Sequence, residues 1–215
     1  NYLYVFENKK ISENINSFPN LNLINRSFQS CYLEKKDTDV YFVNLINNTD
    51  IDYSRYKFFY VNYLISQNKF DEIKEIVNEI DTLSSSLLIL QLKNWIDNTK
   101  FKKITEIFSC KNESDILSEF FFIIANLYSS EEQYENSNLF LNIANFLNPK
   151  FRFNTSLIVE NNFSNKNYKK TKVLLNRFNK KDEISIVENA EYTPCNEENY
   201  LIKNCPGWKL KSKKI

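Results

Sequence analysis

Glycine is nearly absent from this sequence: the 215 residues include one glycine, Gly207, and four prolines. Tight β-hairpin turns need residues that tolerate positive φ, and glycine does so best. An all-β sandwich or barrel is therefore not expected. Apolar residues recur at intervals of three and four, as in Ile73, Ile76, Val77 and Ile80, which is the period of an amphipathic helix. We therefore predict an all-α fold.

One pattern returns along the chain: an apolar helix, a short polar turn, an aromatic residue and a second helix. The aromatic residues after the turns are Phe70, Phe101, Tyr134 and Tyr168, at intervals of 31, 33 and 34 residues. A single helix pair cannot bury its apolar face, whereas stacked pairs share one continuous core. The regular spacing predicts an α-solenoid of stacked antiparallel helix pairs.

The best copy of the pattern covers residues 118–151. Its large, small and closing positions are occupied by Phe121, Ile124, Ala125, Tyr128, Tyr134, Leu141, Ala144 and Pro149. With these residues the copy resembles a tetratricopeptide repeat (TPR), and degenerate copies extend over about residues 54–183. Residues 21–47 form a further, weaker copy. The resemblance implies a protein–protein interaction scaffold with a concave groove.

The chain divides into three parts by pattern. Residues 1–53 are expected to form N-terminal helices or a degenerate repeat, and residues 54–185 the TPR-like helical repeats. Residues 186–215 lose the periodicity and predict an irregular C-terminal tail. Its four lysines at positions 209, 211, 213 and 214 leave two interpretations open. The tail is either free or packed on the last repeat, or it docks on an acidic partner or a membrane surface.

Catalytic residue types are scarce. The sequence has no histidine, which excludes Ser-His-Asp and Cys-His arrangements and zinc sites built with histidine. One glycine is too few for a phosphate-binding loop. The adjacent carboxylates Glu131 and Glu132 do not face each other on a helix. We expect no enzyme, no cofactor and no metal site.

The TPR resemblance also implies where a partner binds, because first helices line the groove in that family. Carried onto this chain, a polar residue one turn into each first helix falls at Asn62, Lys93, Asn126 and Glu160. The position one turn earlier holds Phe58, Ile89, Phe122 and Ser156. An apolar floor with amide and charged groups suits an extended peptide or a partner helix. The alternative is that Phe58 and Phe122 pack between repeats.

Other partners are less well supported by the sequence. The formal net charge is +1 and the pI is near 7.7, whereas nucleic-acid binding favours a basic surface. An RNA-binding repeat protein would need a lysine-lined groove, and only Lys93 of the polar positions fits. A second interpretation is structural: the chain is a fragment or cap of a longer array, or a subunit of an assembly. No apolar run is long enough for a transmembrane segment.

The four cysteines bear on the compartment. Cys31 and Cys110 lie among apolar residues and are expected to be buried free thiols. Cys195 and Cys205 lie ten residues apart in the tail, where a local disulfide would indicate an exported or periplasmic protein. Without that disulfide, a cytoplasmic location is expected.

Overall fold

The computed structural model of the chain describes residues 2–12, 19–48, 52–82 and 84–178. Within these ranges every regular element is an α-helix, which confirms the predicted fold class. In chain order the helices are α1 (Tyr2–Asn8), α2 (Pro19–Tyr32), α3 (Thr38–Ile46), α4 (Tyr56–Ser66), α5 (Phe70–Asn78), α6 (Leu87–Asp97), α7 (Phe101–Ile107), α8 (Glu113–Ser130), α9 (Tyr134–Leu147), α10 (Asn154–Ser164) and α11 (Tyr168–Phe178).

The helices begin and pack as their sequences predict. In α5 the apolar residues fall on one face, and Ile73 and Val77 are fully buried, while the acidic first turn complements the helix dipole. The side chain of Asn112 caps α8 by accepting a hydrogen bond from the backbone N–H of Asp115, at 3.1 Å. The four aromatic residues Phe70, Phe101, Tyr134 and Tyr168 are the first residues of α5, α7, α9 and α11. Each prediction of a second helix starting at its aromatic residue is therefore confirmed.

Five turns between paired helices share one backbone geometry. The pairs are α2–α3, α4–α5, α6–α7, α8–α9 and α10–α11, and the two helices of each pair are in contact. Each turn contains a residue with φ between 52° and 59°, and the following N–H donates to the carbonyl five residues earlier. These positions are Glu34, Asn68, Thr99, Glu132 and Lys166. The turns are Schellman motifs built without glycine.

The intervals between these turns are 34, 31, 33 and 34 residues. The spacing found in the sequence is thus present in these backbone turns, and it includes the α2–α3 pair, where the sequence predicts the weaker copy at residues 21–47. Small residues allow close approach within the best copy: Ala125 and Ala144, on α8 and α9, are fully buried. The hydroxyl of Ser118 donates to the carbonyl of Ala144 at 2.8 Å.

Contacts also join pairs that are not neighbours in the chain. The ring of Phe58 in α4 meets that of Phe151, before α10, with centroids 5.4 Å apart. The ring of Phe59, also in α4, stacks on Phe151 with centroids 5.8 Å apart. As a result α4 is almost completely enclosed, with eight of its eleven residues buried.

The prediction that Cys31 and Cys110 are free thiols is wrong. The two residues are buried, as expected, but they form a disulfide with their Cα atoms 5.9 Å apart. It joins α2 to the segment between α7 and α8, across 79 residues of sequence. Sequence proximity could not reveal this pair, because the tertiary fold alone brings the two segments together. Cys195 and Cys205 lie outside the described residues.

Candidate functional site

A cleft of about 640 Å³ opens where the first helices of the five pairs converge. Its lining comes only from these helices and the segments that lead into them. The contributing residues are Leu21 and Ile24 of α2; Asp52 to Tyr56 at the start of α4; Ser86, Leu87 and Leu88 at the start of α6; Phe122, Ile123, Asn126 and Leu127 of α8; and Phe153, Ser156, Leu157 and Glu160 of α10. The volume is in the range of protein clefts that hold small ligands or side chains of a partner.

Arg55 holds three of these elements together. Its Nε and Nη2 donate to the two carboxylate oxygens of Glu119 at 2.8 and 2.7 Å, and Nη2 also donates to Oδ1 of Asn154 at 2.9 Å. The guanidinium lies 3.6 Å from the ring centroid of Phe122, a cation–π contact. These contacts join the start of α4 to α8 and α10, so Arg55 determines the shape of the cleft.

Glu119 is the buried partner in this pair. Its side chain is 2% exposed, against 19% for Arg55. Burial raises the pKa of the Glu119 carboxyl above its ordinary value, and the charge and hydrogen bonds of Arg55 partly offset that rise. An ion pair this deeply placed is costly to break, because the remaining charge would lose its compensation.

Two carboxylates at the cleft have no cation opposite them among the described contacts. Asp52 is exposed and accepts a hydrogen bond from the backbone N–H of Ser54 at 2.8 Å. Glu160 also retains exposed surface, but the protein around its carboxyl partly desolvates it and raises its pKa above the ordinary value. Since Glu119 neutralises Arg55, Asp52 and Glu160 give the cleft a net negative charge.

A polar atom in the cleft wall lacks a protein partner. Tyr53 is buried, and its hydroxyl has no hydrogen-bond partner within the described part of the chain. Burial raises the pKa of this hydroxyl. Buried hydroxyls rarely lack a hydrogen-bond partner in folded proteins, so this atom is an exception.

The structure brings three of the predicted site residues to the cleft. Phe122, Asn126 and Glu160 all line it, as does Ser156 one turn before Glu160. Asn126 is exposed. Phe122 is half-buried and stacks with Arg55, so part of its surface supports the cleft wall.

The other four predicted residues lie elsewhere. Phe58 and Ile89 are fully buried in the core. Asn62 is also buried, and its amide donates to the carbonyls of Ile104 and Phe108 at 3.0 and 2.8 Å. Lys93 donates to the carbonyl of Val77 at 3.2 Å. The expected single polar row is therefore interrupted, because α4 is enclosed by α7 and by the segment before α10 and offers no free surface there.

Sequence reasoning missed Asp52, Tyr53, Arg55 and Glu119. A signal was present for two of them. Arg55 stands beside Tyr56 in an aromatic stretch, and Glu119 directly precedes the apolar run of α8. Long stretches of apolar residues that contain one charge often bury it with a partner, but the pairing across 64 residues is visible only in the fold.

Two further features are absent from the described residues. No three histidine, cysteine, aspartate or glutamate side chains there are placed to hold a metal ion. No described helix is long and apolar enough to cross a membrane.

Comparison of the chain with protein-family models, with curated proteins and with solved structures gave no match. The class defined by the geometry is an all-α protein, whose described residues include five similar helix pairs and an apolar, acidic cleft between their first helices.

Proposed function

We propose that this chain is a protein–protein interaction scaffold, a TPR-like α-solenoid whose cleft binds a peptide or a helix of a partner. The observation that carries the proposal is the composition of the cleft: all five first helices contribute to it, as expected of a repeat protein that binds through its inner surface. The regular turns at intervals of 31 to 34 residues support the TPR-like arrangement.

The cleft chemistry suits a peptide better than a nucleic acid. Apolar side chains such as Leu87, Leu127 and Leu157 line it, and its charged rim is acidic. A phosphate backbone needs cations, and Arg55 is already paired with Glu119. RNA binding therefore receives no support from this surface.

Two leucines of similar exposure provide a matched test. Leu127 lines the cleft and is 54% exposed, whereas Leu139 on α9 is 57% exposed and does not line it. Peptides that bind the full chain are selected from a displayed library of random peptides. Binding of the selected peptides to the Leu127→Asp and Leu139→Asp chains is then measured. We expect binding to be lost with Leu127→Asp and kept with Leu139→Asp. Peptides that bind both variants equally would place the binding surface outside the cleft.

A second candidate function is that of a structural subunit in an assembly. It rests on α9, where Phe146 is 84% exposed and Leu139 lies two turns away on the same helix. Exposed apolar residues of this size often belong to an interface. Sedimentation velocity of the wild type and of Phe146→Ser tests it: a concentration-dependent oligomer that the variant abolishes supports the structural role, and a monomer at all concentrations contradicts it.

The Cys31–Cys110 disulfide favours an oxidising compartment. Disulfides persist in exported proteins and are kept reduced in most cytosols. We therefore propose the exported alternative over the cytoplasmic one. Thiol alkylation of the protein taken directly from its native cells tests this, since a cytoplasmic chain would have both cysteines alkylated without prior reduction.

A further inference from the structure

We propose that residues 208–215 of this same chain bind in the cleft and act as an intramolecular occupant. The inference rests on the proposed function in one respect, that the cleft is a peptide-binding site, and it names the occupant. Residues 208–215 lie outside the described residues.

The charges of the cleft and of the segment are opposite. Asp52 and Glu160 line the cleft, and Arg55, the one cation among its described lining residues, is neutralised by Glu119. The segment reads WKLKSKKI and contains four lysines and no acidic residue. The carboxylates at the rim and the lysine ammonium groups therefore attract each other.

The apolar residues of the segment also match the lining. Trp208 and Leu210 alternate with lysines, so in an extended chain they point to one side and Lys209 and Lys211 to the other. An apolar floor with carboxylates at its edge receives such a peptide with the apolar side inward. Lysine side chains are long enough to bend back to the rim. A tryptophan that enters the lining also brings an indole N–H as a hydrogen-bond donor.

The described chain ends beside the cleft. Helices α10 and α11 are joined by three residues and pack against each other, so they run antiparallel. The end of α11 at Phe178 therefore lies next to the start of α10, where Phe153 and Ser156 line the cleft. Residues 179–207 connect this point to Trp208, and even as a helix they would span about 40 Å. A connection of this length is sufficient for Trp208 to reach the cleft.

Covalent connection makes the interaction effective even if it is weak. A segment joined to its site by a connection of this length has an effective concentration on the order of 1 mM. The segment would then compete with an external peptide for the cleft. Only a partner that binds more tightly than the segment would displace it.

Trp208 is a natural reporter, because the sequence contains only two tryptophans. In Trp95→Phe the fluorescence comes from Trp208 alone. We expect a blue-shifted emission and slow acrylamide quenching, and we expect Leu127→Asp in the same background to shift the emission to the red and to raise the quenching constant several-fold. Leu139→Asp should leave both unchanged. Trp95 is buried, and its ring centroid lies 6.0 Å from that of Phe153, so Trp95→Phe could disturb the core. A second measurement therefore keeps Trp95 and changes Trp208→Phe. Subtraction of its spectrum from the wild-type spectrum yields the emission of Trp208.

The lysines are tested with a matched pair of charge reversals. Lys211→Glu with Lys213→Glu changes the segment, and Lys180→Glu with Lys181→Glu makes the same change in net charge outside it. We expect only the first pair to expose Trp208, and 1 M NaCl to expose it in the wild type. Fast quenching of Trp208 in the Trp95→Phe chain would overturn the inference. Quenching of Trp208 that Leu127→Asp leaves unchanged would overturn it as well.

The two proposals fail in different ways. If Trp208 is exposed in every variant but selected peptides still depend on Leu127, the intramolecular occupant is wrong and the peptide-binding function stands. If peptides are selected more readily on the Lys211→Glu, Lys213→Glu chain than on the wild type, and they depend on Leu127, both stand. If selected peptides are indifferent to Leu127 in both chains, the proposed function is wrong, and the occupant proposal falls with it.

Discussion

Arg55 and Glu119, separated by 64 residues in the sequence, form a bidentate ion pair with hydrogen bonds of 2.8 and 2.7 Å. The pair joins the start of α4 to α8, and through Asn154 it also reaches α10. It therefore connects helix pairs that are not successive, and it does so directly beside the cleft. The stability of the whole arrangement should depend on it.

Removal of one partner of this pair tests that dependence. We expect Glu119→Gln to lower the free energy of unfolding by about 3 kcal/mol, because the Arg55 charge would remain largely buried without its carboxylate. The control is Glu106→Gln, which breaks the exposed Lys102–Glu106 pair and should cost less than about 0.5 kcal/mol. Urea unfolding measures both. Equal effects in the two variants would show that the buried pair does not stabilise the fold.

The disulfide should stabilise the chain strongly, because it closes a loop of 79 residues. Loss of the cross-link in Cys31→Ser is expected to lower the free energy of unfolding by about 4 kcal/mol through the greater entropy of the unfolded chain. Cys195→Ser is the comparison, in a cysteine outside the described residues. Thermal unfolding measures the difference in stability between the two variants. Peptide mapping without reductant should recover the fragments of Cys31 and Cys110 linked to each other, and their recovery as separate alkylated fragments would refute the pairing.

The turns without glycine offer a way to stabilise the protein. Glu132 has a φ of 59°, a conformation that costs a residue with a Cβ atom about 1 kcal/mol and glycine almost nothing. We expect Glu132→Gly to raise the free energy of unfolding by about 1 kcal/mol, and Thr99→Gly to gain more because threonine is β-branched. The matched change Glu75→Gly, inside α5, should instead lower it by about 0.5–1 kcal/mol. If Glu132→Gly and Glu75→Gly changed the free energy of unfolding in the same direction, the result would contradict the assigned turn geometry.

Glu160 predicts a pH dependence of stability. Desolvation raises its pKa above the ordinary value of 4.5, so the folded state holds the proton more tightly than the unfolded state does. The resulting contribution to stability is present below about pH 4.5 and is lost as the pH rises through the folded pKa. Glu160→Gln should therefore match the wild type near pH 4 and exceed its stability near pH 7. Urea unfolding across this range measures the difference, with Glu131→Gln as an exposed control. A wild type more stable than Glu160→Gln at pH 7 would contradict the expected direction.

Local pattern in the sequence predicted much of the fold. Helix periodicity and the near absence of glycine determined the all-α class, and the recurring aromatic residue marked the starts of α5, α7, α9 and α11. These features depend on residues a few positions apart, which is the range over which helix periods and turns act. Glu34 had no aromatic residue two positions later, and the α2–α3 turn was therefore the hardest to identify.

The candidate site was only partly predictable. The predicted residues Phe122, Asn126 and Glu160 line the cleft, because the faces of α8 and α10 that carry them are turned toward it. Asn62 and Phe58 were predicted for the same reason but are buried, because α4 is surrounded by segments distant in the sequence.

The sequence by itself determined where the helices begin, how they pair and how often the pair recurs, since neighbouring residues decide these features. Only the tertiary structure decided how closely the pairs approach one another. That approach formed the Cys31–Cys110 disulfide, joined Arg55 to Glu119 and enclosed Asn62. Each of these contacts joins residues between 42 and 79 positions apart, and the free energy that selects them comes from burial of the shared core rather than from any local preference of the chain.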